Sequence, residues 1–271
     1  MPTTQHILVI RLSAMGDVAM TVPVLRAFTQ QHPKVKLTVL TRPFFAPFFK
    51  DLPNTSVFIF DDKQKHKGIF GLFKLYKELQ QKKITHIADL HNVLRSKILR
   101  FFFRFFFRFS NKKIAAIDKG RVEKKALTKA DNKVFKQLKS SHQRYADVFT
   151  KIGFSVDISN PEKRATPKAS KMVSELLKNS SSKKIGIAPF AAYQAKMYPL
   201  DLTKKVISEI AKTSTVYLFG GGKKEIETLS TIENEIENCI SVAGKIQFED
   251  ELNLISQLDC MVAMDSGNAH L

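Results

Sequence analysis

ILVIRLSAMGDVAMTVPVLRAF, residues 7–28, is the stretch that decides the fold. Ile7-Leu8-Val9-Ile10 is a short, unbroken apolar run. A half-exposed strand would alternate polar and apolar residues, so a continuous run reads as a strand buried on both faces, as in a parallel sheet. A loop from Arg11 to Asp17 follows. A helix is expected from about Thr21, with Pro23 in its first turn, where a missing N–H costs little. Strand, loop and helix form the opening unit of a parallel α/β sheet, in which ligands bind at the carboxyl ends of the strands. The loop therefore points into the expected binding crevice.

The same alternation continues outward. Leu37–Leu40, Val57–Phe60 and His86–Leu90 read as further strands, with helical stretches between them, notably Gly68–Lys82. Residues 159–184 are polar, basic and loosely patterned, apart from one helix from about Lys168 to Lys178, and read as a junction. The alternation then restarts. Ile185–Ala188 is a strand, Leu202–Ala211 a helix, and Val216–Phe219 a strand ending in Gly220-Gly221-Gly222. Helices over Lys223–Glu237 and Leu252–Leu258 and a strand over Cys260–Met264 follow. Two successive α/β units of Rossmann type are expected, residues 1–160 and 185–271, joined by 161–184. The second is expected to be incomplete, because one more strand and helix would be needed to cover the sheet edge.

Composition narrows the functional classes. The 271 residues are 44% hydrophobic, enough for two cores, and carry a formal net charge of +19. Such an excess favours polyanionic partners: nucleic acid, anionic lipid or phosphorylated ligands. Two cysteines, Cys239 and Cys260, are too few for a disulfide framework or a cysteine-based zinc site, which fits a reducing cytoplasm. The N-terminus lacks the pattern of a signal peptide, and no window reaches about 18 uncharged apolar residues. The expectation is a soluble or peripheral protein.

One segment stands apart. Ile98–Phe109 reads ILRFFFRFFFRF and holds seven of the chain's 22 Phe residues. Arg100, Arg104 and Arg108 recur every four residues and form one stripe on a helix. Two readings stay open: a core helix whose arginines reach solvent, or an interfacial helix with rings among lipid headgroups and arginines on phosphates.

The residues with chemical potential lie in loops after strands. Ser13 and Gly16 belong to the first loop and are candidate donor contacts; Gly16 permits close backbone approach. Asp17 either caps the following helix or takes a proton from an acceptor hydroxyl. Lys196, after the first strand of the second unit, is either solvated surface or a contact for a diphosphate. Gly221, followed by Glu225, lies in a tight turn that a ligand can approach. Asp265, Ser266 and Gly267 end a strand and start a helix, offering a hydroxyl and bare N–H groups to phosphate oxygens, with His270 one turn on. Neither a P-loop nor a GxGxxG motif occurs, which disfavours a dehydrogenase.

RLSAMGDVAMTVPVLRAF, DLHNVLRSK, the lysine loop before Tyr198-Pro199, FGGGKKE, AGKIQFEDELNLI and DSGNAHL occur together and in order. As an ordered set, spanning Ile7 to Leu271, they resemble glycosyltransferase family 9, the heptosyltransferases of lipopolysaccharide core assembly. The resemblance implies a GT-B architecture, with two Rossmann-like domains facing across a cleft. It implies an inverting transferase using an ADP-activated heptose as nucleotide-sugar co-substrate, with no other cofactor and no bound metal. Asp17 matches the general base, Lys196 the residue facing the donor diphosphate, and Glu225 the residue holding the ribose. Ile246 falls where an adenine contact is expected, and Asp265, Ser266, Gly267 and His270 match the last donor-binding motif. Arg11, Arg95 and Arg121 are candidate contacts to a lipid-linked anionic saccharide acceptor, at the cytoplasmic surface of the inner membrane. No specific nucleic acid is expected. Asn268-Ala269 replaces the Pro-Met pair of the family's motif, and the family continues past this histidine.

Two alternatives remain on sequence grounds: a transferase of the same family with another nucleotide-sugar or acceptor, and a non-catalytic membrane or nucleic-acid binding protein derived from one.

Overall fold

The computed structural model describes residues 5–106, 113–160, 165–178, 180 and 183–271. The chain divides into two compact units, Met1–Glu162 and Lys163–Leu271.

In the first unit the order is β1 (His6–Ile10), α1 (Met15–Ala19), α2 (Thr21–Gln31), β2 (Lys36–Thr41), β3 (Thr55–Ile59), α3 (Gly68–Gln80) and β4 (His86–Asp89). It continues with α4 (Leu94–Phe106), β5 (Lys113–Ala116), α5 (Arg121–Leu127) and α6 (Ser141–Lys151). The sheet runs β3-β2-β1-β4-β5 and every pairing is parallel. Ile7, Leu8, Val9 and Ile10 are all fully buried, as their unbroken apolar run requires of a central strand. Ile7 and Val9 join a core with Val24, Leu25 and Phe28 of α2 and Tyr145, Val148 and Phe149 of α6. Leu8 and Ile10 face the opposite core, made with Leu72, Leu75, Tyr76 and Leu79 of α3 and Leu99 and Phe103 of α4. Alternate strand residues thus feed opposite layers.

In the second unit the order is α7 (Lys171–Leu177), β6 (Lys184–Ala188), α8 (Leu200–Ala211), β7 (Thr215–Leu218), α9 (Lys223–Glu235), β8 (Cys239–Ser241), α10 (Phe248–Ile255) and β9 (Cys260–Ala263). The parallel sheet runs β8-β7-β6-β9. Thr203, Ile207 and Ala211 repeat at four-residue intervals on the buried face of α8. Helix α7, within the segment expected to be a junction, is packed into this unit. Val173 is fully buried beside Tyr217 and Phe219, and the Ser170 hydroxyl caps the helix while donating to Asp250.

The sequence reading placed the first helix at Thr21, but a short helix already forms at Met15 and holds Asp17. Strands β5 and β8 and helices α5 and α6 were not expected either. The Phe-rich segment is helical through Phe106; Phe107, Arg108 and Phe109 lie outside the described residues. Its arginines do not form one solvent stripe. Arg100 turns inward, its Nε 2.8 Å from Oδ2 of Asp89, and it also donates to Asn92 at 3.1 Å. Asp89 is fully buried at the end of β4, and a buried carboxylate is costly without a paired cation.

Candidate functional site

Each unit has one place where the chain leaves a central strand in opposite directions: between β1 and β4 in the first, and between β6 and β9 in the second. Beyond the carboxyl ends of such strand pairs the loops diverge and leave a crevice, the usual ligand site of open parallel sheets. Most of the candidate residues are found at these two places.

In the first unit, the loop after β1 carries Arg11 and Ser13, and α1 carries Gly16 and Asp17. Arg11 is buried, with one guanidinium nitrogen donating to the Leu90 carbonyl at 2.7 Å and another paired with the Asp17 carboxylate. Its guanidinium carbon lies 5.8 Å from the Tyr145 ring centroid, and the Tyr145 hydroxyl donates to the Asp17 carbonyl. The Asp17 side chain is 46% exposed against 6% for Arg11, so a fixed cation holds an accessible carboxylate. Gly16 is buried in the helix and Ser13 lies 3.4 Å from Nε2 of His91, across the crevice.

His91 is a residue that sequence reasoning missed. It stands in the quoted DLHNVLRSK stretch, directly after β4, and that position was the available signal. Its backbone N–H donates to the buried Asp89, while its Nδ1 is buried without a partner. Burial, reinforced by the neighbouring Arg11 and Lys119, pushes its pKa down to about 4, so the imidazole is neutral at physiological pH. Lys119, after β5, was missed too. Its pKa is lowered by desolvation and by the fields of Arg11 and Arg121. Arg95, in the first turn of α4, shares Oδ2 of Asp62 with Arg42, at 3.1 and 2.7 Å. Arg121 is the exposed first residue of α5. The strand ends of this unit thus carry several cations, Asp17 and a neutral histidine, a field suited to an anionic ligand with a reactive hydroxyl.

In the second unit, the four parallel strands deliver their following loops to one edge of the sheet. Lys196 follows β6, Gly221 follows β7, Ile246 follows β8 and Asp265 follows β9. Across the β6–β9 crevice, Nζ of Lys196 lies 2.6 Å from Oδ2 of Asp265, whose carboxyl is held below the usual range by that hydrogen bond and charge. The Ser266 hydroxyl oxygen is buried without a partner, next to this pair in the chain. Gly267 and His270 bound a short 3-10 turn, with His270 exposed. Glu225, in the first turn of α9, accepts from the Gly221 N–H at 2.8 Å. Gly222 has a φ of +87°, a conformation that favours glycine, and this lets the chain enter α9 directly. Open space surrounds Gly221. Ile246 is partly buried against the core around Tyr217 and Phe219, so only part of its surface is available. The Lys196–Asp265 pair and the Glu225–Gly221 contact are separate features of the same edge.

Among the described residues, no group of three or more His, Cys, Asp or Glu side chains is placed to hold a metal ion. No helix among them is long and apolar enough to cross a membrane.

Comparison with known proteins agrees with this architecture. The chain is 22% identical over 274 aligned positions to lipopolysaccharide core heptosyltransferase OpsX of Haemophilus influenzae, covering 97% of this chain and 74% of that protein. A solved family 9 glycosyltransferase from Veillonella parvula superposes with a TM-score of 0.78 at 20% identity, over 98% of this chain and 78% of that one. The E. coli heptosyltransferase WaaC with ADP-2-deoxy-2-fluoro heptose superposes with a TM-score of 0.68 at 16% identity, over 98% and 84% of the two chains. These likenesses establish the two-unit GT-B fold. Residues 72–271 match the sequence pattern of glycosyltransferase family 9 (heptosyltransferase), and the chain belongs to that family.

Proposed function

We propose that this glycosyltransferase moves a heptose from ADP-heptose onto a lipid-linked, anionic saccharide of the lipopolysaccharide core, inverting the anomeric carbon. The observation that carries the reading is the arrangement at the edge of the second sheet. There the Lys196 ammonium, the unpartnered Ser266 hydroxyl and the open backbone at Gly221 gather on successive strand ends. A nucleoside diphosphate needs such groups: a cation and donors for its oxygens, and bare backbone for close approach. Glu225 is assigned to the ribose and Ile246 to the adenine. Asp265 orients Lys196, while Gly267 and His270 complete the phosphate contacts. The ADP-sugar bound in the WaaC structure and the name of OpsX support this donor and acceptor class.

The chemistry follows from the first unit. Asp17, fixed by Arg11, takes the proton of the acceptor hydroxyl. The oxygen attacks the anomeric carbon from the face opposite the diphosphate, and the bond to the departing ADP breaks. Lys196 and Ser266 stabilise the charge that grows on the leaving group. No metal ion enters this scheme. Neutral His91 orients the acceptor through Ser13, and Arg42, Arg95, Lys119 and Arg121 attract its anionic groups. A lipid-linked acceptor sets the reaction at the cytoplasmic face of the inner membrane.

Calorimetric titration with ADP, ADP-heptose and UDP-sugars tests the donor assignment. ADP species are expected to bind preferentially, with affinity reduced about tenfold or more in Lys196→Ala, as for a lost charge-assisted contact. Equal binding of UDP-sugars, or an unchanged affinity in Lys196→Ala, would remove the assignment.

A further inference from the structure

Helices α3 and α4 each bury one side in the core, through Leu72, Leu75, Tyr76 and Leu79 and through Leu99 and Phe103. The outward side of such helices is ordinarily polar. Here Ile69, Phe70, Phe101 and Phe105 are exposed instead, Phe70 to 88% and the other two rings to 61% and 62%. A chain of ring contacts links α4 to α3. Phe105 stacks on Phe101 at 6.0 Å, Phe101 meets Phe102 at 6.2 Å, and Phe102 meets Phe73 at 5.5 Å.

Cations are interleaved with the rings. Lys97 lies four residues before Phe101 and Arg104 three after it, on one side of α4. Lys74 lies four residues after Phe70, and Nζ of Lys77 stands 5.0 Å from the Phe73 ring centroid. Lys74, Lys77, Lys97 and Arg104 are all exposed. Helix α4 contains no acidic residue, and the one acid of α3, Glu78, is engaged by Lys65 and His66.

Exposed rings among cations without carboxylates match a surface that is anionic and also admits rings, the headgroup region of an anionic bilayer. A nucleic acid duplex would engage the cations but leave the apolar side chains in water. A second copy of the same face would set cation against cation.

We propose that the α3–α4 face of the first unit is a membrane-docking surface. Phe70, Phe101 and Phe105 enter the headgroup region, and Lys74, Lys77, Lys97 and Arg104 meet the lipid phosphates. The purpose of this docking rests on the lipid-linked acceptor proposed above, but its measurement does not.

The test is co-sedimentation of the full chain with vesicles of phosphatidylethanolamine containing phosphatidylglycerol, beside purely zwitterionic vesicles. Binding is expected to favour the anionic vesicles. Combined Lys97→Gln and Arg104→Gln should weaken it about 25-fold, from about fivefold per basic residue near an anionic surface. Combined Phe70→Ser, Phe101→Ser and Phe105→Ser should weaken it at least tenfold, with an unchanged circular dichroism spectrum and melting temperature. Absence of binding to anionic vesicles, or equal binding by the Ser variant, overturns the proposal. So does a dimer of the wild-type chain in analytical ultracentrifugation that the Ser variant abolishes. Transfer to a lipid-free soluble acceptor separates the two claims. A Ser variant that still transfers but no longer binds vesicles supports docking, whereas absent transfer by vesicle-binding wild type removes only the enzymatic reading.

Discussion

Replacing Asp17 by Asn tests the chemistry most directly, because Asn keeps the shape and one acceptor oxygen of the side chain but cannot take a proton. A positioned general base contributes about 10²–10⁴ in rate, so kcat should fall by that factor, about 3–5 kcal/mol in the barrier. Affinity for ADP-heptose should stay within about twofold, since Asp17 belongs to the first unit and the proposed donor contacts Lys196 and Ser266 to the second. The substitution also removes the carboxylate partner of a buried guanidinium. Losing one member of a fully buried pair costs about 3–5 kcal/mol. Asp17 is 46% exposed, and Arg11 keeps its bond to the Leu90 carbonyl, so solvent screening reduces the expected cost to about 1 kcal/mol. For a unit of this size that is a drop of about 2–4 °C in melting temperature. The assay is single-turnover transfer with a soluble acceptor, with calorimetry and thermal melting on the same preparation. A fall in kcat of less than tenfold at unchanged donor affinity refutes Asp17 as the base. Collapse of donor binding shows that it serves the donor, and a melting shift of 10 °C or more makes its role structural.

Two pH dependences of opposite sign follow from desolvated groups, the buried His91 and the half-buried Glu251. The pKa of His91 is lowered in the fold to about 4 from 6.5, so the unfolded chain binds its proton first as pH falls. Its contribution is intact above pH 6.5 and is lost between there and pH 4, to a total of about 3 kcal/mol. His91→Gln should flatten the melting temperature across that window, and an unaltered slope would mean that the imidazole is not desolvated. Glu251, in α10, has its carboxyl raised by burial to about 7 from 4.5. The unfolded chain releases that proton first as pH rises, so stability is lost from pH 4.5 to 7. Glu251→Gln should therefore be more stable than wild type at pH 8, by up to about 3 kcal/mol in denaturant titration, and equal stability would contradict the burial.

The strands were legible wherever the sheet buries both faces. Ile7–Ile10 and Val216–Phe219 announce themselves because a residue covered on both sides has to be apolar at every position. Strand β5, Lys113-Ile114-Ala115-Ala116, is an edge strand of small and half-buried residues, and its short pattern carries no such mark. Strand β8 is three residues long and also at an edge. Helix α6 was missed although Ser140 caps it and Tyr145, Val148 and Phe149 are buried, because its polar composition hides a narrow apolar face.

The candidate residues of the second unit were legible because their types and order form a motif. Their pairing was not. Nothing in the spacing joins Lys196 to Asp265, 69 residues apart, and only the parallel alignment of β6 with β9 puts their loops together. The same holds for Ser13 with His91, which the alignment of β1 with β4 brings together, while Arg11 with Asp17 and Arg100 with Asp89 meet only through the turn of the chain from a strand into its following helix. A lone arginine in a sequence reads as a solvated charge, and whether it turns inward depends on the partners the fold supplies, the buried Asp89 for Arg100 and the Leu90 carbonyl for Arg11. By itself the sequence determined two parallel α/β units and the loops that hold the candidate residues, because local periodicity reports burial. The tertiary structure alone decided which charges are paired and which rings of the Phe-rich helix face out, since both depend on contacts between distant segments.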